Sequence, residues 1–282
     1  MDSGDLPRRR NKVVFIMGAT GTGKTKLAID LALYFNGEIV NSDKMQVYDG
    51  LDVITNKATP AERAGVPHHL LGGVAPDADF TADDFRLQAT HAVESILSRG
   101  KLPIIAGGSN TYIQALVEGG DGEFRAKFDC CFIWVDVELP VLHGFVGERV
   151  DKMVELGLVE EARGVFDMDD ADYSRGSRRA IGVPELDKYF REERKLSNDQ
   201  RARLLAEAID QVKVNTCKLV CCQLDKIQRL RTLSGWDVHR IDATGVFLKR
   251  NTPGFDEAWM EMVVKPSVQT VIGFFHGDGG KQ

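Results

Sequence analysis

The feature that most constrains this chain is an uninterrupted apolar run at residues 13–17, followed directly by the pattern G-x-x-x-x-G-K-T at residues 18–25. An apolar run without alternation is typical of a strand buried on both faces of a parallel sheet. Residues 26–35 then carry apolar side chains at helical spacing. A strand, a glycine loop and a helix start together present backbone N–H groups and a positive dipole end to an anion. The sequence therefore predicts a binding site for a diphosphate or triphosphate.

The residues of this loop have different tasks. Gly18, Gly21 and Gly23 permit the backbone to turn its N–H groups inward. Lys24 brings a positive charge to the phosphates, and Thr25 offers its hydroxyl to Mg²⁺ as a metal ligand. The residues predicted to hold the diphosphate are Gly18, Ala19, Thr20, Gly21, Thr22, Gly23, Lys24 and Thr25. The alternative is a glycine turn that carries Lys and Thr by chance, and the flanking strand and helix argue against it.

Length and charge limit the classes of protein that the chain can belong to. Its 282 residues suffice for one large or two modest domains. A formal net charge of −6 argues against unaided binding to a nucleic-acid backbone. No apolar run approaches the roughly 20 residues of a membrane span. We expect no membrane partner, and we favour a monomer, although the sequence leaves the oligomeric state open.

The compartment is predicted from the N-terminus and the cysteines. Residues 1–11 have neither the apolar core of a secretory signal nor the length of an organelle transit peptide. An odd count of five cysteines without secretory context favours reduced thiols. We expect an intracellular protein, located in the cytoplasm or, if a transit peptide has been removed, in a plastid.

Two residue pairs raise the question of a metal site. Cys217 and Cys221 lie one helical turn apart, but no second pair at zinc-site spacing accompanies them. His68 and His69 are adjacent, and adjacent side chains of an extended chain point apart. We therefore expect cysteines that pack and histidines that fix a loop by hydrogen bonds.

Polar residues follow two further predicted strands. Residues 37–48 begin as a short strand that ends at Ser42 and Asp43, and residues 101–112 run from a buried strand through a glycine turn to Ser109 and Asn110. Ligands of a doubly wound sheet bind beyond the carboxyl ends of its strands, where the phosphate loop also lies. The alternatives are a turn-forming or helix-capping role for Asp43 and a tight turn without ligand at Ser109.

Residues 131–136 form another apolar strand, which ends in Asp136. The same description fits the strand on the magnesium side of many phosphate-loop kinases. A nucleoside or nucleotide kinase is therefore a competing function.

The second half of the chain reads as mainly helical. Residues 148–166 and 197–230 carry apolar side chains at helical spacing. Between them, Arg175, Arg178 and Arg179 could clamp a phosphate, and a solvated basic loop is equally consistent.

The predicted fold class is α/β, with a P-loop NTPase-like parallel sheet flanked by helices and a smaller, mainly helical C-terminal part. We divide the chain into a phosphate-loop core (residues 1–145), a helical part that completes a substrate channel (146–235) and a segment that returns to the core (236–282).

Five segments, in chain order, resemble the isopentenyltransferases (dimethylallyltransferases) that modify adenine N6. They are residues 18–25 (GATGTGKT), 42–48 (SDKMQVY), 65–70 (GVPHHL), 106–112 (AGGSNTY) and 179–185 (RAIGVPE). The joint occurrence of D-x-M-Q-V-Y with the phosphate loop gives the resemblance its specificity, and it covers about residues 12–230.

That family includes enzymes that act on adenine in tRNA and enzymes that make cytokinin from free adenine nucleotides. The tRNA type carries a helical insertion after G-G-x-x-x-Y, whereas here residues 116–136 run almost directly into the next strand. Where the tRNA type tends to have Lys-Arg-Gln, residues 221–223 are Cys-Cys-Gln. The eukaryotic tRNA type often ends in a Cys/His zinc module, and these 282 residues contain none. Residues 183–186 and 236–244 also resemble the plant-type adenylate isopentenyltransferases, which we therefore favour over a tRNA dimethylallyltransferase.

This resemblance implies that the dimethylallyl group of dimethylallyl diphosphate is transferred to N6 of ATP, ADP or AMP. In this family the phosphate loop holds the prenyl diphosphate and not the phosphates of the nucleotide. We expect Lys24, Arg179 and Mg²⁺ bound at Thr25 to stabilise the leaving diphosphate. Asp43 is the expected general base for the amine, and Thr20 is expected to hydrogen-bond near the bridging oxygen.

The acceptor nucleotide is expected to bind at the edge of the sheet and in the basic loop. The residues predicted to contact it are Ser42, Asp43, Ser109, Asn110, Arg175 and Arg178. The expected partners are dimethylallyl diphosphate and adenine nucleotides, with Mg²⁺ as cofactor and without nucleic acid. A non-catalytic nucleotide-binding module is a third alternative.

Overall fold

A computed structural model of the protein describes residues 10–277, so the outer ends of the first and last predicted parts, residues 1–9 and 278–282, lie outside it. The strands are β1 (Asn11–Met17), β2 (Gly37–Asn41), β3 (His68–His69), β4 (Leu102–Ala106), β5 (Phe128–Asp136) and β6 (Val238–Asp242). The first helices are α1 (Lys24–Phe35), α2 (Ala82–Ser98), α3 (Asn110–Glu118), α4 (Glu123–Lys127), α5 (Leu139–Glu155) and α6 (Leu158–Gly164). The later helices are α7 (Asp187–Glu192), α8 (Asn198–Arg231), α9 (Thr244–Phe247), α10 (Phe255–Trp259) and α11 (Lys265–His276).

The six strands form one parallel sheet in the order β3-β2-β4-β1-β5-β6. The central strand β1 explains why its apolar run does not alternate. Val14 and Ile16 face one hydrophobic cluster, and Val13, Phe15 and Met17 face another, on the opposite side of the sheet. Helices cover both faces, which confirms the predicted α/β class.

Local sequence signals account for the helix boundaries. Thr81 forms a capping box with Asp84 at the start of α2. The predicted helix at residues 148–166 is wrong in two respects: α5 begins earlier, and Gly157, at φ +105°, separates it from α6. A left-handed backbone is inexpensive for glycine and ends the helical hydrogen-bond pattern. The long helix α8 begins after Ser197, as predicted.

The loop-rich region at residues 51–80 contains one element that the sequence did not predict. His68 and His69 pair with β2 as the short edge strand β3. Their expected hydrogen-bonding role is confirmed, because His68 Nδ1 lies 2.9 Å from the Val66 carbonyl oxygen and His69 Nε2 lies 2.7 Å from Glu38 Oε2.

A third hydrophobic cluster lies outside the two faces of the sheet. It joins Leu51 and Ile54 to Leu158, Phe190 and Ala208. Residues of the first predicted part therefore complete the core of the helical part, and α5 crosses the boundary expected at residue 145. At the other end, β6 pairs with β5. The division into three parts stays a prediction.

Candidate active site

A cavity of about 550 Å³ opens beyond the carboxyl ends of the strands. Its walls are the phosphate loop, the start of α1, the turn after β2, the Gly107–Gly108 turn after β4, the segment at residues 55–64 and one face of α5. The sheet topology brings these segments together because parallel strands end at one edge.

Close packing at the loop explains its glycines. A Cβ on Gly18 would lie 2.6 Å from the Val135 carbonyl oxygen, and the backbone of Gly23 is left-handed at φ +89°. Thr25 is exposed and lines the cavity, and its hydroxyl has no hydrogen-bond partner among the described residues.

Lys24 is the buried cation of the loop. Its Nζ donates a hydrogen bond of 2.6 Å to the Ala19 carbonyl oxygen. Burial lowers the pKa of Lys24 to about 8, with Arg149 adding to this effect and Asp43 opposing it. An ammonium withdrawn from water is stabilised when an anion binds beside it.

Gln223 connects the loop to α8. Its Oε1 accepts a hydrogen bond of 2.7 Å from the Thr20 amide, and its Nε2 donates one of 3.0 Å to the Gly108 carbonyl oxygen. A Cβ on Gly108 would lie only 2.4 Å from Gln223 Nε2. The Thr20 N–H is therefore hydrogen-bonded within the protein and is not available to a ligand. Because Gly108 has no side chain, α8 can approach this turn closely.

Arg149 on α5 is a site residue that the sequence reasoning missed. Its guanidinium lines the cavity and donates a hydrogen bond of 2.9 Å to Thr20 Oγ1. Burial lowers the pKa of Arg149 to about 10, and Asp43 opposes the change. Its Nε is buried without a partner among the described residues. The sequence signal that could have identified Arg149 is its position within the apolar stripe of a helix, because Val146 and Val150 on either side of it are buried.

Asp43 reaches the same cavity. Its Oδ1 accepts a hydrogen bond of 2.9 Å from the Met45 amide, and its Oδ2 lies 3.6 Å from the point where a Cβ on Gly108 would stand. The hydrogen bond from the Met45 amide forms a local turn, which is the alternative role for Asp43 considered from the sequence. The second carboxylate oxygen remains available to a ligand, so the turn and a chemical role are compatible.

Three predicted acceptor residues lie beside the cavity without lining it. The Ser109 hydroxyl accepts a hydrogen bond of 2.9 Å from the Lys44 amide, and Asn110 Nδ2 donates one of 3.2 Å to the Gln223 carbonyl oxygen. Ser42 Oγ is buried without a partner among residues 10–277. Ser109 and Asn110 thus hold the two turns in place.

The three arginines of the basic loop separate in the structure. Arg178 pairs with Asp170 and stacks over Tyr173, and the side chain of Arg175 is exposed. Arg179 donates a hydrogen bond of 3.0 Å to Tyr48 Oη. None of the three lines the cavity itself, but Arg179 acts electrostatically on Lys44 next to Asp43.

Arg179 belongs to a group of three cations, with Lys44 and Lys226, next to Asp43. Partial burial, followed by the charges of Arg179 and Lys226, lowers the pKa of Lys44, and Asp43 opposes the shift. Lys226 Nζ donates a hydrogen bond of 2.8 Å to Thr111 Oγ1. Among residues 10–277, none of these three cations forms an ion pair with a carboxylate. The arrangement suits a ligand with several negative charges.

Asp136, on which the kinase alternative depends, has a structural partner. Its Oδ2 accepts a hydrogen bond of 2.7 Å from Arg240 Nε on β6. The carboxylate is therefore neutralised within the sheet, which weakens the case for a magnesium ligand at this position.

Within the described part of the chain, no group of three or more His, Cys, Asp or Glu side chains is arranged to hold a metal. Cys221 Sγ lies 3.8 Å from His143 Nε2, and Cys217 packs against the core. Residues 10–277 also include no helix with both the length and the apolar character that a bilayer span requires.

The fold and this site define an α/β protein with a phosphate loop next to a partly buried arginine and a carboxylate. The chain belongs to the IPP transferase family, whose model matches residues 46–126 and 120–229.

Three known proteins resemble this chain over nearly its whole length. It is 58% identical to adenylate isopentenyltransferase 5, chloroplastic, of Arabidopsis thaliana, over 96% of this chain and 82% of the relative. It is 33% identical to tRNA dimethylallyltransferase 2 of the same plant, over 96% and 82% respectively. The full-length tRNA isopentenylpyrophosphate transferase of Bacillus halodurans shares the fold with a TM-score of 0.75 and 25% identity, over 96% of this chain and 100% of that one.

These comparisons confirm the predicted resemblance to the plant-type adenylate branch. The alignment with the tRNA enzyme extends over 385 residues, which exceeds the 282 residues of this chain. That relative therefore carries segments that this chain lacks. Here α3 is followed within ten residues by β5, in agreement with the short connection predicted from the sequence.

Proposed function

We propose that this enzyme transfers the dimethylallyl group of dimethylallyl diphosphate to N6 of a free adenine nucleotide, a step of cytokinin biosynthesis. The single observation that carries the proposal is the position of Asp43, which lines one cavity together with Lys24 and Arg149. The relative of 58% identity is named an adenylate isopentenyltransferase, which supports the same activity.

The reaction forms a bond between N6 and C1 of the prenyl group and breaks the bond between C1 and the bridging oxygen. The electron pair of the broken bond leaves with diphosphate, so negative charge grows on the phosphate oxygens. Lys24, Arg149 and the loop amides are positioned to stabilise that charge. Thr20 Oγ1 accepts from Arg149 and keeps its own hydrogen for the bridging oxygen.

Asp43 serves as the general base in this scheme. The adenine amine is a weak nucleophile because its lone pair is delocalised into the ring. A carboxylate that accepts the N6 hydrogen raises the reactivity of the amine and removes the proton as the new bond forms. The Asp43 oxygen that the turn does not use is available for this contact.

Mg²⁺ fits the donor side of this cavity. The Thr25 hydroxyl is a hard oxygen donor at its wall. With few protein ligands nearby, the ion would be held largely by the diphosphate and water, as is usual for Mg²⁺. When bound, it neutralises charge on the leaving diphosphate.

We assign the phosphates of the acceptor nucleotide to Lys44, Arg179 and Lys226. Arg179 and Lys226 act electrostatically on Lys44, which follows Asp43 in the chain, and the three cations lack carboxylate partners in the described part of the chain. We therefore assign Arg179 to the acceptor nucleotide and not to the leaving diphosphate. We place Arg175 and Arg178 outside the site. An acceptor with more phosphates should then bind more tightly, in the order ATP, ADP, AMP.

A product assay tests the function directly. The enzyme is incubated with dimethylallyl diphosphate, Mg²⁺ and one of ATP, ADP, AMP or tRNA, and the products are identified by mass spectrometry. We expect an isopentenyl adenine nucleotide and no modified tRNA. Phosphorylated product formed without a prenyl donor would instead indicate a kinase, and saturable binding without any product would indicate a binding module.

The base assignment predicts a specific loss in Asp43→Ala. Prenyl transfer should fall by about 10²–10⁴-fold, while the affinity for dimethylallyl diphosphate changes little. Asp79→Ala, at an exposed aspartate in the same half of the chain, is the matched control and should retain normal turnover. Wild-type turnover in the Asp43 variant would exclude it as the base.

We also propose a plastid location, since the relative of 58% identity is named as chloroplastic. A fluorescent fusion made with the natural N-terminus of the protein tests this proposal. Diffuse cytoplasmic fluorescence would support the alternative.

A further inference from the structure

Trp259, at the end of α10, packs directly on the phosphate loop. A Cβ on Gly23 would lie 2.7 Å from Trp259 Cη2 and 2.9 Å from its Cζ3. The indole thus occupies the space that any other residue at position 23 would need. Only 3% of Trp259 is exposed, so this contact is part of the interior.

Gly23 is the residue where precise placement matters most. It precedes α1 in a left-handed conformation, and no side chain caps the helix start. The amides that follow are therefore free for an anion. Glycine has the greatest backbone freedom of any residue, so a rigid ring against it limits the conformations that the loop can adopt.

A hydrogen bond fixes the orientation of the ring. Trp259 Nε1 donates to Asp30 Oδ2 over 2.7 Å. Lys26 lies 4.0 Å from the same carboxylate oxygen, and its Nζ lies 5.5 Å from the centre of the indole. Gly23, Lys26 and Asp30 all line the cavity, whereas Trp259 stands behind them.

The C-terminal segment contacts α1 at both ends, with Trp259 at its start and Phe275 at its far end. A π-helical turn at Met260–Val264 joins α10 to α11, and it allows Trp259, Val263 and Val264 all to be buried. Single π-helical turns are frequent at functional sites. At the far end of α1, Phe35 stacks edge-on against Phe275.

We infer that Trp259 is a positioning residue for the donor diphosphate, so that the C-terminal segment is a working part of the donor site. The inference rests on the proposed function, in which the phosphate loop binds a prenyl diphosphate. Trp259 touches no substrate in this scheme; it acts by holding Gly23 and the first turn of α1 in the geometry that binds phosphate.

The test replaces Trp259 with phenylalanine, which keeps an aromatic ring against Gly23 and removes the N–H donor. Binding of inorganic diphosphate with Mg²⁺ is measured by calorimetry, and the KM values for dimethylallyl diphosphate and ATP are measured separately. We expect diphosphate binding to weaken and the donor KM to rise, each about tenfold, with the KM for ATP unchanged.

Trp236→Phe is the matched control. Trp236 is also 3% exposed, and its Nε1 donates to a carboxylate, Glu118 Oε1, at 2.6 Å. It belongs to the hydrophobic cluster on the other face of the sheet. We expect a similar decrease in melting temperature in both variants, but weaker diphosphate binding only in the Trp259 variant.

Asp30 supplies a second test that does not depend on the ring. Asp30→Leu removes the acceptor of the indole N–H and should weaken diphosphate binding as Trp259→Phe does. Loss of the Asp30 charge from the cavity wall would by itself favour the anion, so weaker binding reports the loss of the hydrogen bond. Unchanged diphosphate affinity in Trp259→Phe, or equal weakening in Trp236→Phe, would overturn the inference while leaving the proposed function intact. If wild-type protein failed to bind diphosphate at all, both the proposed function and this inference would be wrong.

Discussion

At the residue scale, the site is governed by cations that have been withdrawn from water. Burial lowers the pKa of Lys24 to about 8 and that of Arg149 to about 10. Each therefore gains more from a bound anion than an exposed side chain would. Asp43 opposes both shifts, because its negative charge favours the charged form of each cation.

The Lys24 pKa predicts how donor binding depends on pH. Below about pH 8 the ammonium is charged and attracts the diphosphate; above it the amine is neutral and that attraction is lost. We expect the KM for dimethylallyl diphosphate to rise toward tenfold per pH unit above pH 8, with the KM for the acceptor less affected. Steady-state kinetics between pH 6.5 and about 9.5 measure this rise.

Lys24→Arg is the control for the assignment, because a guanidinium does not titrate in this range. Whatever donor affinity that variant retains, its KM should show no inflection near pH 8. An inflection of equal size in the arginine variant would assign the titration to another group.

At the element scale, α8 organises the site although it contributes no residue to the cavity wall. Its Gln223 is 7% exposed and joins two turns that follow different strands, β1 and β4. The 34-residue helix also carries Lys226, one turn further along, which acts electrostatically on Lys44 next to Asp43. A single rigid helix thereby fixes the spacing between the donor and acceptor regions.

Gln223→Ala should damage both stability and catalysis. It leaves the Thr20 N–H and the Gly108 carbonyl without their partner, at a cost of about 1–3 kcal/mol for each buried group. Turnover should fall by about tenfold to a hundredfold, because displacement of reacting groups by about 1 Å has effects of that size. Chemical denaturation and steady-state kinetics measure the two effects.

Gln228→Ala, at an exposed position of the same helix, is the matched control and should alter neither quantity. A Gln223 variant that lost stability but kept full turnover would show that the two hydrogen bonds of Gln223 stabilise the fold and do not determine catalytic geometry.

At the scale of the whole molecule, the two ends of the parallel strands differ. The carboxyl ends line the cavity, whereas the opposite end carries a buried carboxylate that stabilises the fold. Glu38 lies near the start of β2, away from the cavity, and is 4% exposed. Burial alone would raise its pKa, but hydrogen bonds from Arg99, His69 and Lys101 outweigh that effect and lower it to about 2. This carboxylate ties the edge strand β3 and the end of α2 to the sheet.

The Glu38 cluster predicts a specific acid sensitivity. Because the pKa in the folded protein lies below the ordinary value of 4.5, the stabilisation is present in full above about pH 4.5 and is lost as the pH falls toward 2. Glu38→Gln should lower the free energy of unfolding at pH 7 by about 2–3 kcal/mol and flatten its decline in acid. Urea denaturation at several pH values measures both effects.

Glu94→Gln provides the comparison, since Glu94 pairs with Lys127 at the surface and both side chains are about half exposed. That variant should change the stability by less than about 1 kcal/mol. Equal losses in the two variants would contradict a special role for the buried cluster.

Much of the donor site could be predicted from sequence because its residues are contiguous. Residues 18–25 form a loop whose conformation is set by its own glycines, and Asp43 follows directly from a strand end. Arg149 and Gln223 were missed because each lies on a helix more than 120 residues from the loop. The residues next to Arg149 or Gln223 in the chain do not indicate which turn its side chain will contact.

The sequence by itself determined the class of fold, the phosphate loop and the family, since these depend on periodicity and short-range motifs. The tertiary structure alone decided which arginine reaches the loop, which arginines turn away to Asp170 or Tyr48, and that Trp259 packs behind Gly23. Those outcomes depend on the order of the strands and the direction of the helices between them. Side chains far apart in the chain become neighbours only when packing has fixed that arrangement.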